Sequence, residues 1–420
     1  MVFFMSKLIV CGPSVIDGEI FVCGAKNSAL PSLAATILTE ETVYLHNCPY
    51  IRDVRKTFEI IECLGGKVSH DGNTACVNCK GVCSGNIPNV LMREMRSSII
   101  FIGALISRVG KVRFSCPGGC ELGPRPIDLH INSLRQLGVY FEYENDAITA
   151  YCNGLKGADI VLEYPSVGAT ENIILAAACA NGRTTITGAA KEPEIVDLQN
   201  LLNAMGAKIS GAGTDFVEVE GVSSLCGTHH AIIGDRIEAA TYLAAAAMTT
   251  GHIVLKGCNC SHLEPILSVL ENGGAEISLS NDKIELLQKN RPVAPSKIIT
   301  RPYPDFPTDA LAIFVAYSAV AEGNCELYET VFQNRFEHVG QLLRFGANIR
   351  AKSKYAWVGN ADRLNPADVY ATDLRGGAAM TLMALCAWGE SSISNFELVE
   401  RGYEDMSLKL NSLGSKTERK

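Results

Sequence analysis

Six glycines, Gly65, Gly138, Gly206, Gly274, Gly346 and Gly414, lie 73, 68, 68, 72 and 68 residues apart and divide this 420-residue chain into six stretches of one design. Each glycine follows a segment with apolar residues three and four apart, as in 53–64, 127–137, 195–205 and 335–345. That spacing predicts an amphipathic helix whose end is turned by a residue free to adopt positive φ. A short strand and turn are expected after each. A period near 70 residues means that one supersecondary unit has been copied, so any fold must bury six versions of the same face.

A second helical segment recurs in every unit and is apolar almost all round: 28–38, 98–107, 171–180, 237–248, 310–321 and 377–388. At about 10–12 residues these segments are too short to span a bilayer. A helix without a polar face must be wrapped by other structure. The arrangement that satisfies all six repeats is α/β, with sheets outside and the apolar helices inside.

Polar residues collect where these inner helices begin: Lys26-Asn27, Arg96-Ser97, Gly168-Ala169-Thr170, Asp235-Arg236, Thr308-Asp309 and Asp373-Leu374-Arg375. A cation at a helix N-terminus opposes the macrodipole unless an anion offsets it. Each such cation taken alone reads as paired with a local acid; their repetition points instead to a shared anionic ligand, because helix N-termini already favour phosphate and carboxylate.

Composition narrows the classes further. A formal net charge of −8 with no Lys/Arg run excludes nucleic acid as a bulk electrostatic partner. The opening Met1-Val2-Phe3-Phe4-Met5 is too short for a signal peptide, and Met5 is an alternative start. The expected setting is the reducing cytoplasm, with no membrane partner. Sixteen cysteines then read mostly as small buried core residues. Cys76, Cys79 and Cys83 lack a fourth ligand nearby, so no metal site is expected. One thiol stands apart: Pro117-Gly118-Gly119-Cys120-Glu121-Leu122-Gly123-Pro124-Arg125-Pro126 places a thiol, a guanidinium and three glycines in ten residues, the composition of a reaction lid.

With Gly24-Ala25-Lys26-Asn27-Ser28-Ala29-Leu30-Pro31, the Cys120 loop and Ala371-Thr372-Asp373-Leu374-Arg375 in view, the chain resembles the UDP-N-acetylglucosamine 1-carboxyvinyltransferases, or UDP-N-acetylglucosamine enolpyruvyl transferases, of the EPSP synthase-like family. The resemblance runs end to end through Ser166-Val167-Gly168-Ala169-Thr170, Glu192-Pro193-Glu194-Ile195-Val196-Asp197, Phe306-Pro307-Thr308-Asp309, Asn334-Arg335-Phe336 and Arg401-Gly402-Tyr403-Glu404. It implies a two-domain inside-out α/β barrel of six βαβαββ-type repeats, three per domain. One domain would hold 26–234 and carry the Cys120 loop; the other would combine 1–25 with 235–420.

The resemblance also implies a reaction: transfer of the enolpyruvyl group of phosphoenolpyruvate to the 3′-hydroxyl of UDP-N-acetylglucosamine, by addition and elimination through a tetrahedral intermediate. No cofactor is implied. Cys120 is then the acid that protonates carbon 3, its thiol tuned by Arg125. Asp309 is the base for the sugar hydroxyl, although from sequence it serves equally as a helix cap. Lys26, Arg125 and Arg401 are carried over for the phosphate, and Arg335 and Arg375 for the carboxylate. Asn27, Arg96, Arg125, Pro126, Ile127, Asp128, Leu129, Ser166, Val167, Gly168, Asp309, Val331 and Asp373 complete the substrate contacts. Asp128 reads equally as a cap, and Glu192 as a residue holding its loop. The chain departs from the commonest family pattern at Pro124, which stiffens the lid, and at Gly376-Gly377, expected to loosen a helix start.

Three other readings stay open at this level. A shikimate-pathway enolpyruvyl transferase would share the fold but lack such a loop thiol. A non-catalytic paralogue would bind nucleotide sugar only. A cysteine-nucleophile hydrolase would need a histidine partner that no motif supplies.

Overall fold

A computed structural model of the chain describes residues 6–115, 127–144, 147–280 and 282–420, the Arg96 side chain excepted. The six apolar segments are helices: α1 (Lys26–Ala35), α2 (Phe101–Val109), α3 (Val167–Ala177), α4 (Arg236–Met248), α5 (Leu311–Val320) and α6 (Leu374–Cys386). Every residue of α4 is buried, and α5 is buried along all but its last residue. Alanine dominates α4 and combines high helix propensity with a slim profile. That profile lets it pack against both α5 and α6.

Helices α1, α3, α4 and α6 begin earlier than the apolar pattern implies, and side-chain caps set the starts of α3, α4 and α6, whereas α2 and α5 begin later, each after a 3-10 turn. Asp373 accepts from the N–H groups of Arg375 and Gly376, both at 3.0 Å, so α6 starts at Leu374 rather than 377. Asp235 caps α4 through Ile237 and Glu238 at 2.8 and 3.0 Å. At the start of α6, Gly376 and Gly377 stand where there is no room for a side chain. A Cβ on Gly376 would lie 2.7 Å from the Cβ of His338, and one on Gly377 2.5 Å from Val399.

Contacts gather the chain into two compact units, one holding 6–23 with Gly234–Lys420 and the other 24–233. Each has its own apolar core. The second unit contains three sheets. In one, His229–Ala231 runs parallel to Thr42–His46, which pairs antiparallel with Thr74–Asn78, itself flanked by Lys67–Asp71. Asp159–Val161, Arg183–Thr187, Phe216–Glu220 and Lys208–Ser210 repeat that order. The remaining sheet, Lys111–Ser115, Ala147–Tyr151 and Tyr140–Glu144, keeps only a parallel bridge from Asn86 to Arg113 where the fourth strand would lie.

The first unit repeats this order with Asp17–Phe21, His252–Lys256, Lys283–Leu287 and Glu276–Ser280, and again with Lys297–Ile299, Asn324–Tyr328, Tyr355–Gly359 and Asn348–Lys352. Its third sheet borrows from the start of the chain. Lys7–Gly12 sits between Gly389–Ser394 and Lys416–Arg419, antiparallel to both. Alternation explains the strands: in Phe216–Glu220, Val217 and Val219 face the core while Phe216 and Glu220 face out.

All six marker glycines have positive φ, between 84° and 102°. The peripheral helices before them include Arg52–Cys63, Asp128–Gln136 and Pro193–Ala204. The segment 335–345 is a correction. Only Val339–Leu342 is α-helical there, followed by a 3-10 turn at Leu343–Phe345. The cysteines are a second correction: among the described residues only Cys48, Cys79, Cys258 and Cys325 are buried. A strand or loop position facing outward tolerates a thiol as well as a core position does.

Candidate active site

In the 24–233 unit, Lys26 opens α1. Its ammonium lies 2.7 Å from the carboxylate of Asp53, and both side chains are largely buried. The cation that opposes the α1 dipole thus has a local acid, contributed by the first turn of Arg52–Cys63. Asn27 follows it. The hydroxyl of Ser28 donates to Asp197, whose other oxygen lies 2.9 Å from Nε2 of His230.

Ser166 caps α3 by accepting from the Ala169 N–H at 3.4 Å, so Val167 and Gly168 form its first two residues. Ile127, Asp128 and Leu129 open the helix Asp128–Gln136. Ile127 and Leu129 pack on the core while Asp128 is exposed and supplies no cap, since the capping position is Ile127. Arg96 begins the 3-10 turn Arg96–Ile100 that leads into α2. Glu192 is buried at the start of Pro193–Ala204 with Glu194. Burial, reinforced by Glu194 and Glu192, pushes the carboxyl of Glu171 well above the usual range.

In the other unit, Asp309 sits in the turn Thr308–Ala310 ahead of α5. That turn takes no side-chain cap. Its carboxylate meets two guanidinium groups instead: Nη2 of Arg335 donates to it at 2.6 Å and Nη2 of Arg375 at 3.4 Å. Arg335 also donates from Nε and Nη2 to the Thr308 carbonyl, at 3.1 and 3.0 Å. These bonds hold 335–338 in a turn and explain why the helix starts late.

Arg335 and Arg375 are 4 % and 3 % exposed. Burial works against the Arg375 charge, but Tyr403 first, and then Asp309 and Asp235, keep its pKa raised. Nε and Nη1 of Arg375 are buried and find no acceptor among the described residues. Two fixed N–H groups on a buried cation are what a carboxylate or phosphate ligand binds. Asp373 contributes its carboxylate to the α6 cap, and Arg401 closes the 3-10 turn Phe396–Arg401.

Several residues of this region carry no signal in sequence. Glu329, 2 % exposed, accepts from the Val331 and Phe332 N–H groups at 2.6 and 2.9 Å and from the Thr308 hydroxyl at 2.7 Å. It fixes Val331 against the Asp309 turn. His338 is wholly buried, and among the described residues neither ring nitrogen has a well-formed hydrogen bond. Burial drives its imidazole down to about 4; Asp373 opposes the shift and Arg335 adds to it. Cys120, Arg125 and Pro126 lie outside the described residues, and so does the side chain of Arg96.

Among the described residues each unit has three sheets and three buried helices, and the start of the core helix α6 carries a buried arginine with N–H groups ready for an anion, features that fit an enolpyruvyl transferase. The chain belongs to the family of EPSP synthase (3-phosphoshikimate 1-carboxyvinyltransferase), which it matches over residues 10–410. Within that family it is 46% identical to UDP-N-acetylglucosamine 1-carboxyvinyltransferase 2 of Caldanaerobacter subterraneus, across 98% of this chain and 99% of that one. It is 42% identical to UDP-N-acetylglucosamine 1-carboxyvinyltransferase of Finegoldia magna, across 96% of each. Its fold is similar to that of an enolpyruvyl transferase from Streptomyces tendae, with a TM-score of 0.90, 23% identity and 99% of both chains covered. An EPSP synthase from Acinetobacter baumannii shares the fold at a TM-score of 0.78 and 16% identity, over 99% of this chain and 100% of that one.

Proposed function

We propose that this enzyme transfers the enolpyruvyl group of phosphoenolpyruvate to the 3′-hydroxyl of UDP-N-acetylglucosamine and releases phosphate, a step of peptidoglycan synthesis. The relatives at 40–46% identity support that acceptor by their names. The half-buried Asp309 between buried Arg335 and Arg375 carries the reading on the structural side. Asp309 takes the proton of the sugar hydroxyl as its oxygen attacks carbon 2 of the enol. Cys120 gives a proton to carbon 3, and a tetrahedral intermediate results. Loss of a proton from carbon 3 and expulsion of phosphate restore the double bond.

Arg335 and Arg375 hold the carboxylate of phosphoenolpyruvate, with the unpartnered Nε and Nη1 of Arg375 as the donors. Lys26, Arg125 and Arg401 take the phosphate; Lys26 exchanges Asp53 for that ligand or shares it. Arg96, Pro126, Ile127, Asp128, Leu129, Ser166, Val167 and Gly168 bind the nucleotide sugar, with Asn27, Val331 and Asp373 completing the contacts. The two units are its two catalytic domains.

The test is phosphate release measured with each substrate alone and with both, the product being identified by mass. Release only with the pair, and an enol ether of UDP-N-acetylglucosamine as product, is expected. Turnover with shikimate 3-phosphate in place of the nucleotide sugar would overturn the acceptor assignment.

A further inference from the structure

Asn172, on the second turn of α3 and wholly buried, is hydrogen-bonded in a way that leaves no freedom to its amide. Its Oδ1 accepts the Gly103 N–H at 2.8 Å, and its Nδ2 donates to the Ile99 carbonyl at 2.9 Å. A backbone N–H only donates and a carbonyl only accepts, so the amide cannot be turned over. Gly103 and Ile99 are four residues apart, the pair that a continuous α-helix would join directly. Asn172 bridges them at the junction between the Arg96–Ile100 turn and α2. Gly103 makes the approach possible, since a Cβ there would lie 2.3 Å from the Asn172 carbonyl oxygen.

The second proton of Nδ2 points at Nδ1 of His130, 2.8 Å away. Facing a donor, that ring nitrogen must accept. The imidazole proton therefore resides on Nε2. The Cε1–Nε2 edge of the ring lies against Gly168, where an added Cβ would stand 3.0 Å from Cε1 and 3.3 Å from Nε2. His130 directly follows Asp128 and Leu129, and Gly168 opens α3 beside Ser166 and Val167.

We propose that Asn172 is a positioning residue that fixes His130 as its Nε2–H tautomer, so that the ring presents an N–H beside Gly168 to an oxygen of the bound nucleotide sugar. One amide thereby ties together the Arg96 turn, the start of Asp128–Gln136 and the start of α3. The ligand side of this inference rests on the function proposed above; the tautomer does not.

Long-range 1H–15N spectra of the full-length protein without substrate, paired with steady-state kinetics, test it. His130 of the unsubstituted protein should show a protonated Nε2 and a bare Nδ1. In Asn172→Asp the carboxylate accepts, the proton should move to Nδ1, and KM for UDP-N-acetylglucosamine should rise roughly ten-fold with KM for phosphoenolpyruvate within about two-fold. His130→Gln, whose amide N–H reaches near the Nε2 position, should keep the nucleotide-sugar KM within about three-fold, whereas His130→Asn, whose amide falls short, should raise it as Asn172→Asp does. This pair keeps the test alive if Asn172→Asp does not fold. A proton on Nδ1 in the unsubstituted protein, equal behaviour of Gln and Asn at 130, or both KM values rising together would overturn the proposal. Absence of turnover without any substitution would contradict the proposed function, and the spectra alone would then decide the tautomer.

Discussion

At the residue scale, Asp309 and Arg375 depend on one another. Asp309, together with Tyr403 and Asp235, offsets the cost of burying Arg375, whose Nε and Nη1 have no acceptor among the described residues. Asp309→Asn should lower kcat by at least about 100-fold, the span expected when a general base is lost. Wild-type kcat in that variant would remove Asp309 from its role. Arg375→Lys gives up the fork geometry and should raise KM for phosphoenolpyruvate about ten-fold or more. His338 makes a separate prediction about pH. Its folded-state pKa, about 4, lies below the ordinary 6.5, so the unfolded chain binds the extra proton and stability falls as pH drops from 6.5 towards 4. Urea unfolding of the unsubstituted protein and of His338→Leu should show the former losing ground to the latter by roughly 3 kcal/mol over that window. Parallel pH profiles would contradict the burial argument. Asp309 and Arg375 were legible through the family resemblance; His338 and Asn172 were not, because each meets residues of a neighbouring repeat, and neither was Glu329, whose partners Thr308, Val331 and Phe332 come together only through the folding of its own repeat.

At the element scale, the helices were readable for physical reasons specific to them. An all-apolar segment has one place to go, and a residue turning the chain at φ near 100° is glycine in every repeat. Boundaries were less readable where a charged residue belongs to the helix, as Arg375 does in α6, or where a buried arginine diverts a helical pattern into a turn, as Arg335 does. Two marker glycines separate backbone strain from packing. Gly206 and Gly65 have φ of 101° and 102°, but a Cβ at Gly206 meets nothing within 4 Å whereas one at Gly65 lies 2.5 Å from the Gly81 carbonyl oxygen. Gly206→Ala should cost about 1–2 kcal/mol in chemical denaturation. Gly65→Ala should cost more. Equal costs would mean that the backbone at Gly81 gives way freely.

At the scale of the whole molecule, the chain order makes the two units unequal. The described residues of the 24–233 unit need no strand from either end of the chain and share a core of their own. The other needs the first strands of the chain, since Lys7–Gly12 lies between two partners in its sheet. Residues 24–233 produced alone should therefore unfold in one cooperative transition, while 234–420 without the leading strands should not; calorimetry on the two fragments checks both. Among the described residues no helix is long and apolar enough to cross a membrane. The sequence motifs that marked the site fall in both units, at core-helix starts such as Lys26, Ser166 and Asp373, where the fold repeats and the local chemistry does not.

The most direct test of the central claim is phosphate release with the two substrates supplied separately and together. The account predicts no release with phosphoenolpyruvate alone, none with UDP-N-acetylglucosamine alone, and stoichiometric phosphate and enolpyruvyl nucleotide sugar with both. Release that is independent of the nucleotide sugar, or that requires shikimate 3-phosphate, would contradict it.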